Sequence, residues 1–275
     1  MLTLVLVSFN SYEVIHSCLG EVIKSGAYQV IIVDNASLDG TAQKLQLEYP
    51  LANVIALDKN IGYGRAANVG LDACKTPYSL LLNPDLKANL QCISDLLDSA
   101  IASEQAAIIA PAVEKRTFLK QGMIERDWVI GAAMLFNMTL MGQVGFFDDN
   151  IFLFFEETDL CFRAKQKGLS IKLDTNIYIE HLAGQSSAPN PAVDYLKNWH
   201  FGWSRLYFLS KHGLAVGKKS ALRTLFSYGR KYLLASSSAK RNAYKAKFLG
   251  ALAFVRGRNA FLGDGSAQQT SLLQK

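Results

Sequence analysis

The sequence predicts an α/β fold built on a doubly wound, mostly parallel sheet, and three observations predict it. Between residues 2 and 85 short apolar runs alternate with helical patterns, strand, helix, strand, helix, strand, helix, strand. The runs are rich in Val, Ile and Leu with little polar alternation, as strands covered on both faces are. Each run ends abruptly at polar, acidic or Gly-bearing residues, the edge at which open α/β sheets bind ligands.

Taken in order, residues 2–8 read as the first strand. A helix over 11–24 follows, with apolar positions at Val14, Ile15, Cys18, Leu19, Val22 and Ile23. The second strand, 30–33, ends in Asp34, and Asp39-Gly40-Thr41 opens a helix to about Glu48 with Asp39 as its expected cap. A strand over 54–57, a glycine turn over 60–64 and a helix over 65–73 precede the fourth strand, 79–82, which stops at Asn83-Pro84-Asp85. A helix over 89–103, a strand over 107–110 and a strand over 128–137 come next. The apolar run 152–155 reads as a strand end leading into Glu156, Glu157 and Asp159 and a helix stopped by Gly168. Residues 170–173 and 177–179 read as edge strands, and from about Pro191 the pattern is helical, basic and aromatic.

With 50% hydrophobic and 19% charged residues, 275 residues suit one large domain with an appendage. The expected division is a main domain over 1–205, a basic amphipathic extension over 206–262 and a disordered polar tail over 263–275. Cys18, Cys74, Cys92 and Cys161 are scattered, which reads as packing thiols in a reducing compartment. Residues 1–9 read as a strand rather than a signal peptide, and no run reaches the roughly 18 apolar residues that span a bilayer. Charge is unevenly divided. Residues 1–194 hold 14 Lys and Arg against 22 Asp and Glu (net −8), and residues 195–275 hold 15 against one (net +14).

Asp85, just past its strand, can hold a divalent cation that in turn holds a diphosphate, or it can belong to an ordinary Asn-Pro-Asp turn. Asp34 is placed to accept from a ribose hydroxyl or a base N–H. The glycines at 62 and 64 allow close backbone approach to a ligand, and Arg65 adds a positive charge at a helix N-terminus. Glu156 and Glu157, desolvated behind an apolar run, are candidate general bases, whereas Asp159 pairs with Arg163 one helical turn on. His181 is either structural or a metal ligand beside Asp85; His16, His200 and His212 read as structural.

In order and spacing, these residues resemble the inverting glycosyltransferases of the large family 2 type, with their GT-A fold, and within it the rhamnosyltransferase-like subgroup. The segments that carry the resemblance are Val7-Ser8-Phe9-Asn10, the stretches 33–41 and 60–68, Leu82-Asn83-Pro84-Asp85, Gly131-Ala132-Ala133-Met134, the stretches 144–149 and 155–160, and His181. It covers roughly residues 1–210. The resemblance implies that Phe9 borders the nucleotide base, that Asp34 and Asn35 bind base or ribose, and that Gly62, Arg65 and Asn83 belong to the same donor set. It implies Mg2+ or Mn2+ on Asp85 and His181, Glu157 as catalytic base, and an acceptor bound by Glu156, Trp128 and Gly131. Two departures stand out. Asn83 replaces the first acid of the family's Asp-x-Asp, which weakens the expected metal site, and Glu157 stands where Asp is usual.

The implied reaction is transfer of a sugar, rhamnose by subgroup, from a nucleotide-diphosphate donor to a hydroxyl of a cell-surface glycan or lipid-linked precursor. The basic rear suggests an anionic membrane surface as partner, with a solvated extension or a homodimer contact as the alternatives. The expected location is cytoplasmic, peripheral on the inner face of the bacterial membrane. The competing function is a non-catalytic nucleotide-sugar- or polyanion-binding protein with a Rossmann-like core; no nucleic-acid module is present in the sequence.

Overall fold

The computed structural model describes residues 1–182, 190–214 and 218–269, the side chains of Lys218 and Lys219 excepted. The described chain divides into two units. The first comprises Met1–Lys59, Arg65–Phe147 and the described part of Glu157–Ala188. It holds β1 (Leu2–Ser8), α1 (Tyr12–Lys24), β2 (Gln29–Asp34), α2 (Thr41–Glu48), β3 (Asn53–Ala56) and most of α3 (Tyr63–Asp72). There follow β4 (Tyr78–Leu82), β5 (Leu86–Lys87), α4 (Leu90–Ile101), β6 (Ala106–Ala112), β7 (Met123–Glu125), β8 (Ala133–Asn137) and α5 (Met138–Met141). Helix α6 (Glu156–Gln166), β9 (Ser170–Tyr178) and β10 (Glu180–His181) complete it, with Glu156 itself assigned to the second unit.

Eight strands form one sheet in the order β3-β2-β1-β4-β8-β6-β9-β7. β3, β2, β1 and β4 are mutually parallel, β8 runs antiparallel to both neighbours, β6 and β9 are parallel, and β7 closes the edge antiparallel. The apolar runs behave as expected: every residue of β1 and of β6 is buried. Helix α1 buries Ile15, Cys18, Leu19, Val22 and Ile23 into the same core as Leu4, Leu6, Leu80 and Leu82. Helix α3 approaches the sheet so closely that a Cβ at Gly70 would lie 2.5 Å from Val5 Cγ1.

The strand reading needs correction in the later half of the sheet. Residues 128–132 are irregular, and the strand begins only at Ala133. Residues 170–178 form one continuous internal strand rather than two edge strands. Its middle looked like a loop because of Asp174 and Thr175, but both are buried and satisfied: Ser99 donates to Asp174 Oδ2 at 2.7 Å, and Thr175 Oγ1 donates to the Gly122 carbonyl at 2.8 Å. The true edge is β7, three residues with no readable period.

The second unit comprises Asn60–Gly64, Asp148–Glu156 and the described part of Pro189–Lys275, with helices α7 (Pro191–Lys211), α8 (Lys218–Leu233) and α9 (Ser238–Val255). It therefore takes in all of α7, including the part before residue 205. The reason lies in the crossing of α7 and α9. A Cβ at Gly202 would meet the Lys247 carbonyl oxygen at 2.1 Å, and one at Gly250 would meet the Trp199 carbonyl oxygen at 1.9 Å, so the two backbones touch where side chains are absent. Phe152, Trp199, Trp203 and Leu196 pack around this crossing. Gly62, at φ +90°, lies against Phe152, whose carbonyl accepts from Tyr63 N at 3.1 Å. Through residue 269 the tail forms a turn in which Gln268 N donates to the Ala260 carbonyl at 2.8 Å and the Gln268 carbonyl accepts from His200 Nε2 at 2.9 Å. Residues 270–275 lie outside the described residues.

Candidate functional site

The register of the sheet sets the site. Ser8 faces Asp34 across β1 and β2, Leu6 faces Leu82 across β1 and β4, and Leu82 faces Ala133 across β4 and β8. The carboxyl ends of β1, β2 and β4 therefore lie side by side, the edge where α/β sheets bind ligands.

On β1 and β2 the buried Asp34 organises the edge. Its Oδ1 accepts from Ser8 Oγ at 2.9 Å and Ser37 Oγ at 2.5 Å, and its Oδ2 accepts from Ser37 N at 2.9 Å. Ser37 Oγ in turn accepts from Asn10 N at 2.7 Å, and Asn10 Oδ1 accepts from Leu38 N at 2.8 Å. Asn10 and Ala36 sit at φ 51° and 64°, a left-handed conformation that this network holds in place. Asn35 is buried, and its N–H donates to the Ser8 carbonyl at 2.8 Å. Phe9 is half-buried immediately after β1, and Arg65 is half-buried in the first turn of α3. The N-cap of α2 is Gly40, in left-handed backbone at φ 79°, rather than Asp39; Asp39, one position earlier, accepts from Thr41 N at 3.0 Å and Thr41 Oγ1 at 2.6 Å.

At the end of β4 the chain turns and continues as β5, which pairs with β10 so that His181 faces Leu86. This pairing folds His181 back onto Asp85: Nε2 lies 3.2 Å from Oδ1, with Asp85 1% exposed. Two ligands about 2.1 Å from one cation and at right angles lie about 3 Å apart, so the pair has the spacing of neighbouring ligands. One carboxylate and one imidazole suit Mn2+ better than Mg2+, which prefers oxygen alone. No group of three or more His, Cys, Asp or Glu able to hold a metal is present among the described residues.

Asn83 N donates to the Ala132 carbonyl at 2.8 Å, which sets the Asn83-Pro84-Asp85 turn beside the Gly131 segment. A Cβ at Gly131 would stand 3.2 Å from Glu157 Cβ and 3.3 Å from its Cγ, so glycine is what lets this loop pass the Glu157 side chain. Glu157 is half-buried. Desolvation raises its pKa above the usual carboxylate value, against a 3.2 Å hydrogen bond from Thr158 Oγ1. Trp128, 55% exposed, stands three residues before Gly131. The desolvation expected for Glu157 is present, but the run before it is not a strand. Phe154 and Phe155 both hold left-handed backbone, at φ 66° and 71°, and pack on Phe201; Phe155 also meets Phe208. Consecutive bulky residues in this conformation are strained, a feature that gathers at functional sites. Glu156 is buried, and with Gly62 it falls in the second unit.

The first 159 residues decide the identity. The family model for Glycosyl transferase family 2 matches residues 3–159. The chain belongs to that family. The family 2 match ends at Asp159, inside the first turn of α6. Relatives include an N-acetylglucosaminyl-diphospho-decaprenol L-rhamnosyltransferase of Mycobacterium tuberculosis, 25% identical over 64% of this chain and 76% of that protein. Another is the low-salt glycan biosynthesis hexosyltransferase Agl10 of Haloferax volcanii, 24% identical over 62% of this chain and 63% of that protein. Among solved structures, the mannosyltransferase PcManGT of Pyrobaculum calidifontis, in complex with GDP-Man and Mn2+, superimposes with a TM-score of 0.61 at 12% identity, covering 92% of this chain and 86% of that one. TarS 1–349 of S. aureus with UDP-GlcNAc gives 0.56 at 14%, covering 94% and 92%. The fold is GT-A, and the protein is a glycosyltransferase.

Two residues of this family 2 chain do more than the sequence indicates. Asn68 exchanges two hydrogen bonds with Phe147, donating to its carbonyl and accepting from its N–H, both at 2.9 Å. Arg163, besides its 2.7 Å contact with the fully buried Asp159, donates to the carbonyls of Val144 and Phe146. Together they clamp residues 144–147 between the helix that carries Arg65 and the helix that carries Glu157. Asn68 lies within a family segment, but its partner is 79 residues away. Arg163 reads in sequence only as an i,i+4 ion pair.

Proposed function

We propose that the protein is an inverting glycosyltransferase that moves a sugar from a nucleoside-diphosphate donor to a hydroxyl of a glycan or lipid-linked acceptor. The observation that carries this reading is one run of neighbours along the sheet edge. His181 touches Asp85, the Asp85 turn is bonded to Ala132, and Gly131 beside it packs on Glu157. A diphosphate-binding pair and a desolvated carboxylate are thus supplied by adjoining segments of a single unit.

In this reading Phe9, Asp34, Asn35, Arg65 and Asn83 receive the donor. Asp34 orders the loop that meets the nucleoside, and Arg65 sets a positive charge at the N-terminal end of α3, where an anion is favoured. Asp85 and His181 would hold Mn2+ or Mg2+, whose charge offsets that of the departing nucleoside diphosphate. Trp128 offers an exposed ring to an acceptor sugar, and Gly131 lies beside the base. Glu157 removes the proton from the acceptor hydroxyl as that oxygen attacks the anomeric carbon and the bond to the diphosphate breaks. One displacement inverts the configuration. The raised pKa of Glu157 strengthens it as a base while leaving it ionised only above the ordinary carboxylate range.

Rhamnose is the first sugar to test, since the mycobacterial relative is named for it. That relative's name also describes a lipid diphosphate acceptor, which favours action at the inner face of the cytoplasmic membrane. A panel of nucleotide sugars, screened for thermal stabilisation and turnover with and without Mn2+, tests the reading. A true donor raises the midpoint, more so with Mn2+, and Asp85→Asn and His181→Ala remove the Mn2+ increment. A donor that stabilises and turns over equally well with or without metal in all three proteins removes the metal assignment. A nucleotide sugar that binds but is never transferred, with any acceptor, favours the non-catalytic binder.

A further inference from the structure

Helix α8 carries two apolar faces, and the fold uses one. Leu225 and Tyr228 are buried in a cluster with Leu206 and Ala251, packed by Ala221, Tyr244 and Phe248. On the other side Leu222, Phe226 and Leu233 are 60%, 74% and 76% exposed. At about 100° per residue these three fall within about 40° of one another, a stripe rather than a scatter. Arg223 and Arg230, both exposed, fall within about 80° of the centre of the stripe. A helix packed on a globular core ordinarily turns a polar face outward, so a second apolar stripe calls for a second partner.

Charge selects that partner. From residue 218 to residue 258 there are eleven Lys and Arg and no Asp or Glu. A second copy meeting the stripe through a two-fold axis would set two such surfaces against each other with no carboxylate on either side. A nucleic acid would use the arginines but gain little from leucines. An anionic bilayer uses both, since its headgroups take the guanidinium groups and its acyl boundary takes Leu and Phe. No helix among the described residues is long and apolar enough to cross a membrane, so the contact would lie in the plane of the interface.

We propose that the Leu222–Phe226–Leu233 face of α8 seats in the interface of an anionic lipid bilayer, with Arg223 and Arg230 on lipid phosphates. This deepens the membrane part of the reading above and is independent of its chemistry, because binding is measured without donor or acceptor.

The full chain is sedimented with vesicles of phosphatidylcholine alone and with vesicles of phosphatidylcholine and phosphatidylglycerol in equal parts. Wild type binds the anionic vesicles and not the neutral ones. The double variant Leu222→Ser, Phe226→Ser loses at least ~30-fold in partitioning at any salt, from the apolar area no longer inserted. Arg223→Gln, Arg230→Gln loses about 25-fold at low salt and little at high salt, where the charges are already screened. All these residues are exposed, and matched thermal midpoints verify folding. Wild-type binding that the Leu222/Phe226 variant leaves unchanged would overturn the α8 assignment while the membrane reading survives. No binding to anionic vesicles at low salt would overturn both. A lipid-free dimer that Phe226→Ser dissociates, or RNA binding lost as steeply as vesicle binding in the same variant, would reassign the face.

Discussion

The two units of this chain are stabilised in opposite ways. The sheet unit buries carboxylates and matches each one. Asp34, Asp85, Asp159 and Asp174 are each 4% exposed or less, and each has a named partner in Ser8, His181, Arg163 or Ser99. The helical unit is held by the near contact of two backbones at Gly202 and Gly250 and by aromatic packing around them. Buried ionisable groups cost stability unless they are matched, so Asp34 and Asp85, at the carboxyl ends of β2 and β4, mark where the protein spends stability on chemistry. The helical unit instead leaves apolar and basic side chains uncovered, which marks a surface rather than a reaction centre.

The comparison breaks most visibly at Glu157. Glu157→Gln should lower turnover ~10²–10⁴-fold while donor affinity stays within about twofold. The same change should not lower the thermal midpoint at neutral pH. A carboxyl whose folded pKa is raised is most favourable below its unfolded pKa and costs stability as pH rises through the folded value, so removing the charge relieves a cost. Retained turnover, or a lowered midpoint, would remove Glu157 from the role of desolvated base.

Gly250→Ala tests the helical unit in the same terms. With a Cβ 1.9 Å from a backbone oxygen, α7 and α9 must part, and a loss of about 3 kcal/mol is expected. Denaturant unfolding followed by tryptophan emission reports it, because Trp199 and Trp203 are buried in this unit. An unchanged midpoint would mean that the crossing is not what holds the helices.

Gly131→Ala should act on chemistry alone. The new methyl meets Glu157 Cβ and Cγ at 3.2–3.3 Å, close enough to displace the base but not to unfold the loop. About a tenfold fall in kcat with KM little changed is expected, since a small misplacement of a reacting group is costly.

The smallest effect is a pH slope in the helical unit. His200 is buried, its Nδ1 has no hydrogen-bond partner among the described residues, and desolvation lowers its pKa to about 4. Neutral His200 is favoured above the unfolded pKa of 6.5, and that stability is lost as pH falls toward 4. By about pH 5.5 the loss should reach about 1 kcal/mol, and His200→Gln should flatten it in denaturant titrations at stepped pH.

The strand–helix alternation of the parallel half and the Asp159–Arg163 pair were legible because each depends on neighbours within a few positions. What was not legible depends on distant partners. Thr175 interrupts a strand pattern until the Gly122 carbonyl accepts from it, and the partner of Asn68 lies 79 residues on. The run Phe152 to Phe155 looked like a strand because composition reports apolarity, not the sign of φ.

By itself the sequence determined the α/β class, the family, the acidic front and basic rear, and the residue types available to the site. Only the tertiary structure decided which of them meet. It brought His181 within 3.2 Å of Asp85 through a two-residue pairing too short to carry a sequence signal. It fitted Gly131 against Glu157, and it chose which apolar face of α8 to bury. The physical reason is common to all three. Local pattern fixes what a segment can bury or donate, whereas contact across the fold depends on the register and packing of segments that the chain order keeps apart.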